Sequence, residues 1–215
     1  MIKYRAMQSA RSLSNETKVL IAGSVTALAV SGIAPHDRLT WFLETAPIMI
    51  GLLLLIRTRK RFPLTPLLCW LLLAHAAILA LGGHYTYARV PAGFWVQELF
   101  DLSRNPYDRL GHIAQGFIPA ILVREILSRK SPLAGSNWLP VLTVCACLAF
   151  SAFYEMIEWW GALLFGGGAD DFLGTQGDPW DTQWDMFLAL AGAIAAVTLL
   201  RRRHDRQITA LPKQR

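Results

Sequence analysis

Cysteine and the common catalytic motifs are scarce in this sequence, and their absence removes several classes of protein. Only three cysteines occur in the chain, and all lie in apolar stretches, where cysteine usually behaves as a small buried side chain. Cys145 and Cys147 are one residue apart, which does not fit a CxxC redox or zinc motif. No glycine-rich phosphate loop, HExxH helix or GxSxG turn occurs. A disulfide framework and the common nucleotide-binding and hydrolase signatures are therefore absent.

Charge is also sparse, and long apolar stretches take its place. Charged residues make up 17% of the chain and hydrophobic residues 53%, and the mean hydropathy of +0.35 is unusual for a soluble domain. Each apolar stretch is near the roughly 20 residues that a helix needs to cross a bilayer. We predict an all-α polytopic membrane bundle in one domain, 1–215, with six transmembrane helices at about 19–35, 41–56, 66–82, 112–127, 138–160 and 184–200.

The basic residues predict how the bundle lies in the membrane. Of 21 Lys and Arg residues, only Arg38, Arg89, Arg104 and Arg109 fall on one side of the predicted spans. The other seventeen lie in the two tails and in the second and fourth connections, so the positive-inside rule places both termini in the cytoplasm. The net charge of +6 is a topology signal with attraction to anionic lipid, and indicates the bilayer rather than nucleic acid as partner.

The outer connections hold most of the acidic residues. Twelve of the fifteen carboxylates fall on the outer side. Trp95, Leu99 and Leu102 follow a helical spacing and predict a short interfacial helix in the outer loop. Its acidic polar face favours a lid packed on the bundle, as either a connector or a substrate gate.

Two helix starts share a capping pattern. Asn105–Asp108 and Asp178–Asp181 each place an Asx residue, a proline and an aspartate where a helix is expected to begin. Such residues accept backbone N–H groups and complement the helix dipole. Capping is therefore a structural explanation for Asp108, Asp178 and Asp181.

Further polar side chains recur at helical spacing in the outer halves of the spans. A charged side chain inside a membrane segment costs about 2.5–3.5 kcal/mol and usually faces the bundle interior. We expect one outward-facing acidic and histidine site, formed by Glu44, His84, Asp108, His112, Glu155, Glu158, Asp181 and Asp185. His75, with no acid one turn away, is expected to be a satisfied core histidine, and Arg124 with Glu125 a pair at the inner interface.

Three functions fit this site and stay open. The first is a divalent metal centre, with Asp108, His112, Glu155, Asp181 and Asp185 as ligands. Its chemistry would act on an envelope lipid or lipid-linked substrate. The catalytic residues would be Glu155, Glu158 and Asp185. The substrate-binding residues would be Arg104, Arg109, His84 and Glu44. The second is a small proton-coupled transporter. The third is a structural or assembly protein whose ionic network only fixes packing, and the oligomeric state is left open.

Several longer segments carry recognisable motifs. They read PHDRLTW at 35–41, GGHYTY at 82–87, FYEMIEW at 153–159 and LGTQGDPWDTQWD at 173–185. With Asp101–His112 they resemble the YjdF family of bacterial inner-membrane proteins over nearly the whole chain. That resemblance implies a multi-pass inner-membrane protein and does not imply an activity.

A fainter likeness is to VanZ-like membrane proteins, which are associated with glycopeptide resistance. Asp108, His112, Glu155 and Asp185 match that pattern. The sequence departs from it at Glu158, where an amide is usual, and at Ala189, where asparagine is expected.

The charge asymmetry makes a topology prediction. A reporter active only in the cytoplasm should work when fused after Arg215 or between Arg57 and Arg61, and should fail between residues 170 and 177. Enzyme activity of each fusion in intact cells measures this. An active fusion at 170–177 would reverse the orientation and move the acidic site to the cytoplasm.

Overall fold

The computed structural model describes residues 14–165 and 176–211, and these residues form helices joined by short connections. The predicted loop around Asp170 and Asp171 lies outside the described residues. In chain order the helices are α1 (Asn15–Ser31), α2 (Arg38–Thr58), α3 (Pro66–Tyr85), α4 (Pro91–Phe100), α5 (Tyr107–Lys130), α6 (Trp138–Phe165), α7 (Asp181–Leu199) and α8 (Arg201–Ala210), with a 3₁₀ turn at Tyr87–Arg89.

The all-helical membrane architecture predicted from composition is confirmed. Among the described residues, five helices are long and apolar enough to cross a membrane, namely α2, α3, α5, α6 and α7. Helix α1 has 17 residues, at the short end of the roughly 17–25 that can span a bilayer. The sixth crossing therefore stays a prediction.

The helix bounds differ from the predicted spans where polar residues lie inside a helix. Helix α5 begins at Tyr107 rather than at 112, and α7 begins at Asp181 rather than at 184. The first turns of both helices contain a buried aspartate, Asp108 in α5 and Asp181 in α7. Hydropathy alone leaves these turns out of the predicted spans, although they belong to the helices. Helix α1 ends at Ser31 rather than at 35, because the chain then turns through Ala34 with a φ of 48°.

We call the two ends of the bundle by their charge. The acidic end holds the starts of α2, α5 and α7, and the basic end holds the starts of α1, α3 and α6. The positive-inside prediction turns the acidic end outward.

Capping explains only part of the polar residues at the acidic end. Asp37 begins α2 by accepting the Thr40 backbone N–H at 2.7 Å, and this hydrogen bond lowers the pKa of Asp37. Asn105 accepts the Tyr107 N–H at 3.0 Å, and Asp178 accepts the Trp180 N–H at 2.9 Å. Both bonds form turns just ahead of the helices, whose N-cap residues are Pro106 and Trp180 and have no side-chain cap hydrogen bond. The predicted N-cap roles of Asn105 and Asp178 are therefore wrong. The two aspartates that follow them bind arginine side chains.

The interfacial helix is present as α4, but its apolar side chains do not pack on the bundle. Trp95 is 72% exposed and Leu99 76% exposed. Within α4 only Gly93 is buried, where its backbone lies against the Asn105 side chain. The expectation of a packed lid is therefore wrong, and the exposed aromatic and leucine side chains suit a bilayer interface.

Helices α5 and α7 approach each other more closely than ordinary side chains allow. A Cβ atom at Gly116 would overlap the Ala189 carbonyl group, and one at Gly192 would overlap the Ile113 carbonyl oxygen. Small residues at such contacts let membrane helices pack backbone to backbone. The contact is flanked by buried Ala193 and sets the spacing of the two helices that carry four of the eight predicted site residues.

At the basic end, α8 is held by a buried polar network. Glu125 accepts from the Thr65 hydroxyl at 2.6 Å, from Arg129 at 2.6 Å and contacts His204 Nε2 at 3.0 Å. Arg124 donates to Asp205 at 2.6 Å. Glu125 and Arg124 are both buried, so the expectation that they form a snorkelling pair with each other is wrong. Each is instead bonded to the terminal helix.

The α5–α7 contact gives a stability prediction. Gly116→Ala should lower the free energy of unfolding by about 1–3 kcal/mol, because the new methyl group overpacks the backbone contact. Gly51→Ala is the matched control, since a Cβ there would meet no atom within 4 Å. Thermal unfolding in detergent measures both. Equal midpoints for the two variants would contradict a close α5–α7 contact.

Candidate functional site

Four helices contribute acidic side chains to one region of the acidic end. The i, i+4 spacing puts two ligand-type residues on one face of α5 and two on one face of α7, while the i, i+3 spacing does the same on α6. These pairs are Asp108 with His112, Asp181 with Asp185, and Glu155 with Glu158. Glu44 joins them from α2 through the hydroxyl of Tyr154, which donates to Glu44 Oε2 at 3.2 Å.

His112 lies at the centre of this cluster. Its Nε2 is 3.5 Å from Asp108 Oδ1 and 3.7 Å from Asp185 Oδ2, and its Nδ1 is 3.8 Å from Glu155 Oε1. These distances exceed the 2.7–3.2 Å of a normal hydrogen bond. The imidazole is therefore surrounded by three carboxylates without a short bond to any of them.

Three buried atoms of the cluster have no hydrogen-bond partner within the described part of the chain. They are His112 Nδ1, Glu155 Oε1 and Asp185 Oδ1. Buried polar atoms are nearly always paired, so such atoms commonly indicate a water, a proton or an ion. One ligand atom each from Asp108, His112 and Asp185 can be chosen so that all three lie within 4.8 Å of one another.

A layer of arginine–aspartate pairs lies beside the cluster. Arg104 binds Asp181 directly and lies 3.4 Å from Asp108 Oδ2. Arg109 lies 2.8 Å from Asp178 Oδ2 and 3.4 Å from Asp181 Oδ1. Both predicted substrate-binding arginines are thus engaged with aspartates.

Asp178 is the more exposed aspartate of this layer. The Trp180 N–H, with Arg109 nearby, lowers its pKa. Its contribution to stability is therefore present above the ordinary aspartate pKa, and is lost as the pH falls through the lowered value.

A small cavity opens beside the cluster. It has a volume of about 50 Å³, enough for a few water molecules, since one water needs roughly 10–15 Å³. Its polar lining includes Glu44, Asp108, His112 and Glu158, together with Tyr87 and Tyr154. Six of the eight side chains expected in the site therefore line this cavity or contact His112, namely Glu44, Asp108, His112, Glu155, Glu158 and Asp185.

Asp181 and His84 lie apart from the imidazole. Asp181 Oδ1 is bonded to the arginine layer. The Nδ1 atom of His84 is 2.9 Å from the Ser31 carbonyl oxygen, at the ends of α1 and α3. The structure does not bring His84 to the cavity lining, so its predicted substrate-binding role is unsupported by contacts.

Sequence reasoning missed several groups that line the cavity. Tyr154 is one turn before Glu158 on the same face of α6, so helical spacing could have identified it. His75 was expected to be satisfied, yet its buried Nε2 has no hydrogen-bond partner among the described residues and it lines the cavity. That expectation is wrong because His75 faces a cavity between helices, which no local sequence pattern indicates.

Comparisons with known proteins agree with this architecture. A family model described as "Predicted membrane protein (DUF2238)" matches residues 17–206. The chain belongs to the DUF2238 family. It is 56% identical over 181 residues to the inner membrane protein YjdF of Escherichia coli (strain K12), a match that covers 84% of this chain and 87% of that protein. No solved structure matches the chain.

The resemblance to the YjdF family predicted from the motifs is thereby confirmed. This DUF2238 member is an inner-membrane protein with several apolar helices. The fainter likeness to VanZ-like proteins stays a prediction.

The arginine layer gives a prediction for this DUF2238 protein. Asp181→Asn should lower the free energy of unfolding by about 3 kcal/mol, because it leaves two largely buried guanidinium groups short of a carboxylate. Asp178→Asn is the control and should cost less, since that carboxylate is more exposed. Thermal unfolding in detergent at pH 7 compares them. A larger loss for Asp178→Asn would contradict the central position of Asp181.

Proposed function

We propose that the acidic-end cluster binds a divalent metal ion and supports metal-assisted chemistry on an envelope lipid or lipid-linked substrate. One observation carries the metal part of this proposal. The separations of His112 Nε2 from Asp108 Oδ1 and Asp185 Oδ2 are 3.5 and 3.7 Å. Ligands about 2.1 Å from a tetrahedral ion are about 3.4 Å apart. Both separations are too long for a hydrogen bond and close to that ligand–ligand distance, and one ligand atom from each of the three residues lies within 4.8 Å of the other two.

The donor set suits a borderline divalent ion. Imidazole nitrogen and carboxylate oxygen are donor types that zinc, manganese and iron all accept, and three protein ligands would leave a position open for water. Glu155 is not in this set, because it faces the other ring nitrogen of His112. In metal sites a carboxylate that accepts the second ring N–H fixes the tautomer of the ligating histidine. Glu155 would need to move closer than its present 3.8 Å to take that role.

The remaining residues take roles from where they lie. A bound divalent ion would act as a Lewis acid and promote ionisation of a bound water. Glu158 and Glu44 line the adjoining cavity and are the candidates to accept a proton there. Tyr154 holds Glu44 in place by donating to its carboxylate. Arg104 and Arg109 maintain the α5–α7 geometry through Asp178 and Asp181.

The class of substrate follows from where the site lies. With the predicted orientation, the cavity opens in the outer half of the bundle, and apolar Pro47 and Phe150 share its lining. Helix α4 exposes Trp95 and Leu99 at the same end, as expected of a segment resting on lipid. A substrate that reaches this site from the outer leaflet would arrive already anchored in the bilayer.

The metal proposal predicts near-stoichiometric metal in the purified protein. Elemental analysis after purification without chelator, with zinc, manganese and iron supplied, should find about one ion per chain in the wild type. His112→Ala and Asp185→Asn should lose it while the proteins remain monodisperse. Glu98→Gln is the matched control, because it removes an exposed outer carboxylate and should retain the ion.

A monodisperse wild type without metal would overturn the proposal. If His112→Ala and Asp185→Asn also aggregated, the cluster would be an ionic network that only fixes packing. The catalytic part is tested separately with Glu158→Gln, which keeps the three ligands. Metal-loaded wild type, incubated with bacterial lipid extract and analysed by mass spectrometry, should convert a lipid about 10²–10⁴-fold faster than this variant. No lipid converted by the loaded wild type would refute the catalytic part alone.

A further inference from the structure

A second, larger cavity lies toward the basic end of the bundle. Its volume is about 480 Å³, within the roughly 300–1,000 Å³ typical of ligand pockets. It lies between α1, α2, α3 and α5, and its lining is mostly aliphatic, including Leu20, Ile48, Leu55, Leu72, Leu122 and Ile126. We call this cavity the apolar groove.

The length of the groove matches one leaflet of a membrane. Along α2 its lining runs from Pro47 to Thr58, which at 1.5 Å per residue is about 16 Å. Half of a hydrocarbon core is about 15 Å. An acyl chain entering from the basic end would therefore fill the groove as far as the bilayer midplane.

A small residue keeps the groove open. Gly51 lines it, and a Cβ atom at this position would meet no atom within 4 Å. Close packing is the rule in protein interiors, and an empty apolar space forgoes dispersion contacts. Within a bilayer, the apolar molecule available to fill this space is a lipid chain.

The mouth of the groove is cationic and aromatic. Phe62 and Lys130 line it, and the Arg129 guanidinium lies 3.7 Å over the Phe62 ring. The Lys130 ammonium is 5.6 Å from the same ring. The end of α2 and the connection after it carry Arg57, Arg59, Lys60 and Arg61, close in sequence to Thr58 and Phe62 of the lining. The nearby acid Glu125 is fully buried and bonded.

We infer that the apolar groove binds one acyl chain of an anionic phospholipid from the leaflet at the basic end, with the phosphate beside Lys130. Basic residues at this level attract anionic lipid headgroups. The predicted orientation makes this the cytoplasmic leaflet. The inference does not depend on the metal proposal, because none of the proposed metal ligands lines the groove.

Native mass spectrometry tests whether the groove binds an anionic phospholipid. The full chain is delipidated in detergent and mixed with phosphatidylglycerol or phosphatidylcholine of identical acyl chains. The wild type should bind one phosphatidylglycerol and prefer it to phosphatidylcholine. Gly51→Leu should weaken binding of both lipids at least about tenfold by filling the groove, whereas Gly51→Ala should not. Lys130→Gln should reduce the preference for phosphatidylglycerol about fivefold and leave phosphatidylcholine binding unchanged.

Arg38→Gln is the matched charge control, because Arg38 is an exposed cation at the opposite end of α2. It should bind both lipids as the wild type does. Equal binding of the two lipids by the wild type would overturn the inference. Unchanged lipid binding by monodisperse Gly51→Leu would also overturn it. A wild-type dimer that Gly51→Leu dissociates would overturn it as well, because the groove would then be an interface between two copies of the chain. Should Gly51→Leu fail to fold, the exposed Lys130→Gln still decides headgroup recognition.

Discussion

The backbone contact between α5 and α7 is the constraint on which the acidic end depends. Both helices run in the same direction, so residues one turn apart meet in matching order every 5.4 Å. The order is Asp108 with Asp181, His112 with Asp185, and Gly116 with Ala189. A larger residue at Gly116 would push the helices apart and lengthen the distances around His112. Small residues in the membrane core thus determine the geometry of polar residues one and two turns away.

Close approach concentrates like charge where little water can reach. Arg104 and Arg109 are shared among Asp108, Asp178 and Asp181, which leaves Glu155 and Asp185 buried around a single imidazole. Clustered carboxylates in such surroundings must take up protons or a cation. A network that served packing alone would be expected to satisfy its own polar atoms, as the α8 network around Glu125 does. The contrast between the two ends favours ligand binding at the acidic end.

The fold class and most of the acidic cluster could be predicted from the sequence, because each leaves a local sequence pattern. Apolar stretches of about 20 residues predict helices that cross the bilayer, and i, i+4 pairs such as Asp108 with His112 predict side chains on one helix face. The sequence could not predict that His75 faces a cavity, because that depends on how helices distant in the sequence pack. The pairing of Glu125 with His204 was missed for the same reason, since their sequence neighbours give no sign of the contact. The exposure of Trp95 likewise depends on where the bundle surface lies.

The two cavities share three lining residues, Pro47, His75 and Leu79. On one side the lining is carboxylate and tyrosine, and on the other it is aliphatic down to Thr58 and Lys130. A proton-coupled carrier needs polar groups along the whole path, and the described lining of the groove supplies few below His75. The carboxylate and tyrosine side chains of the two linings therefore lie in the acidic half, beside a mostly aliphatic groove. That division fits chemistry performed at one face of the membrane better than transport through it.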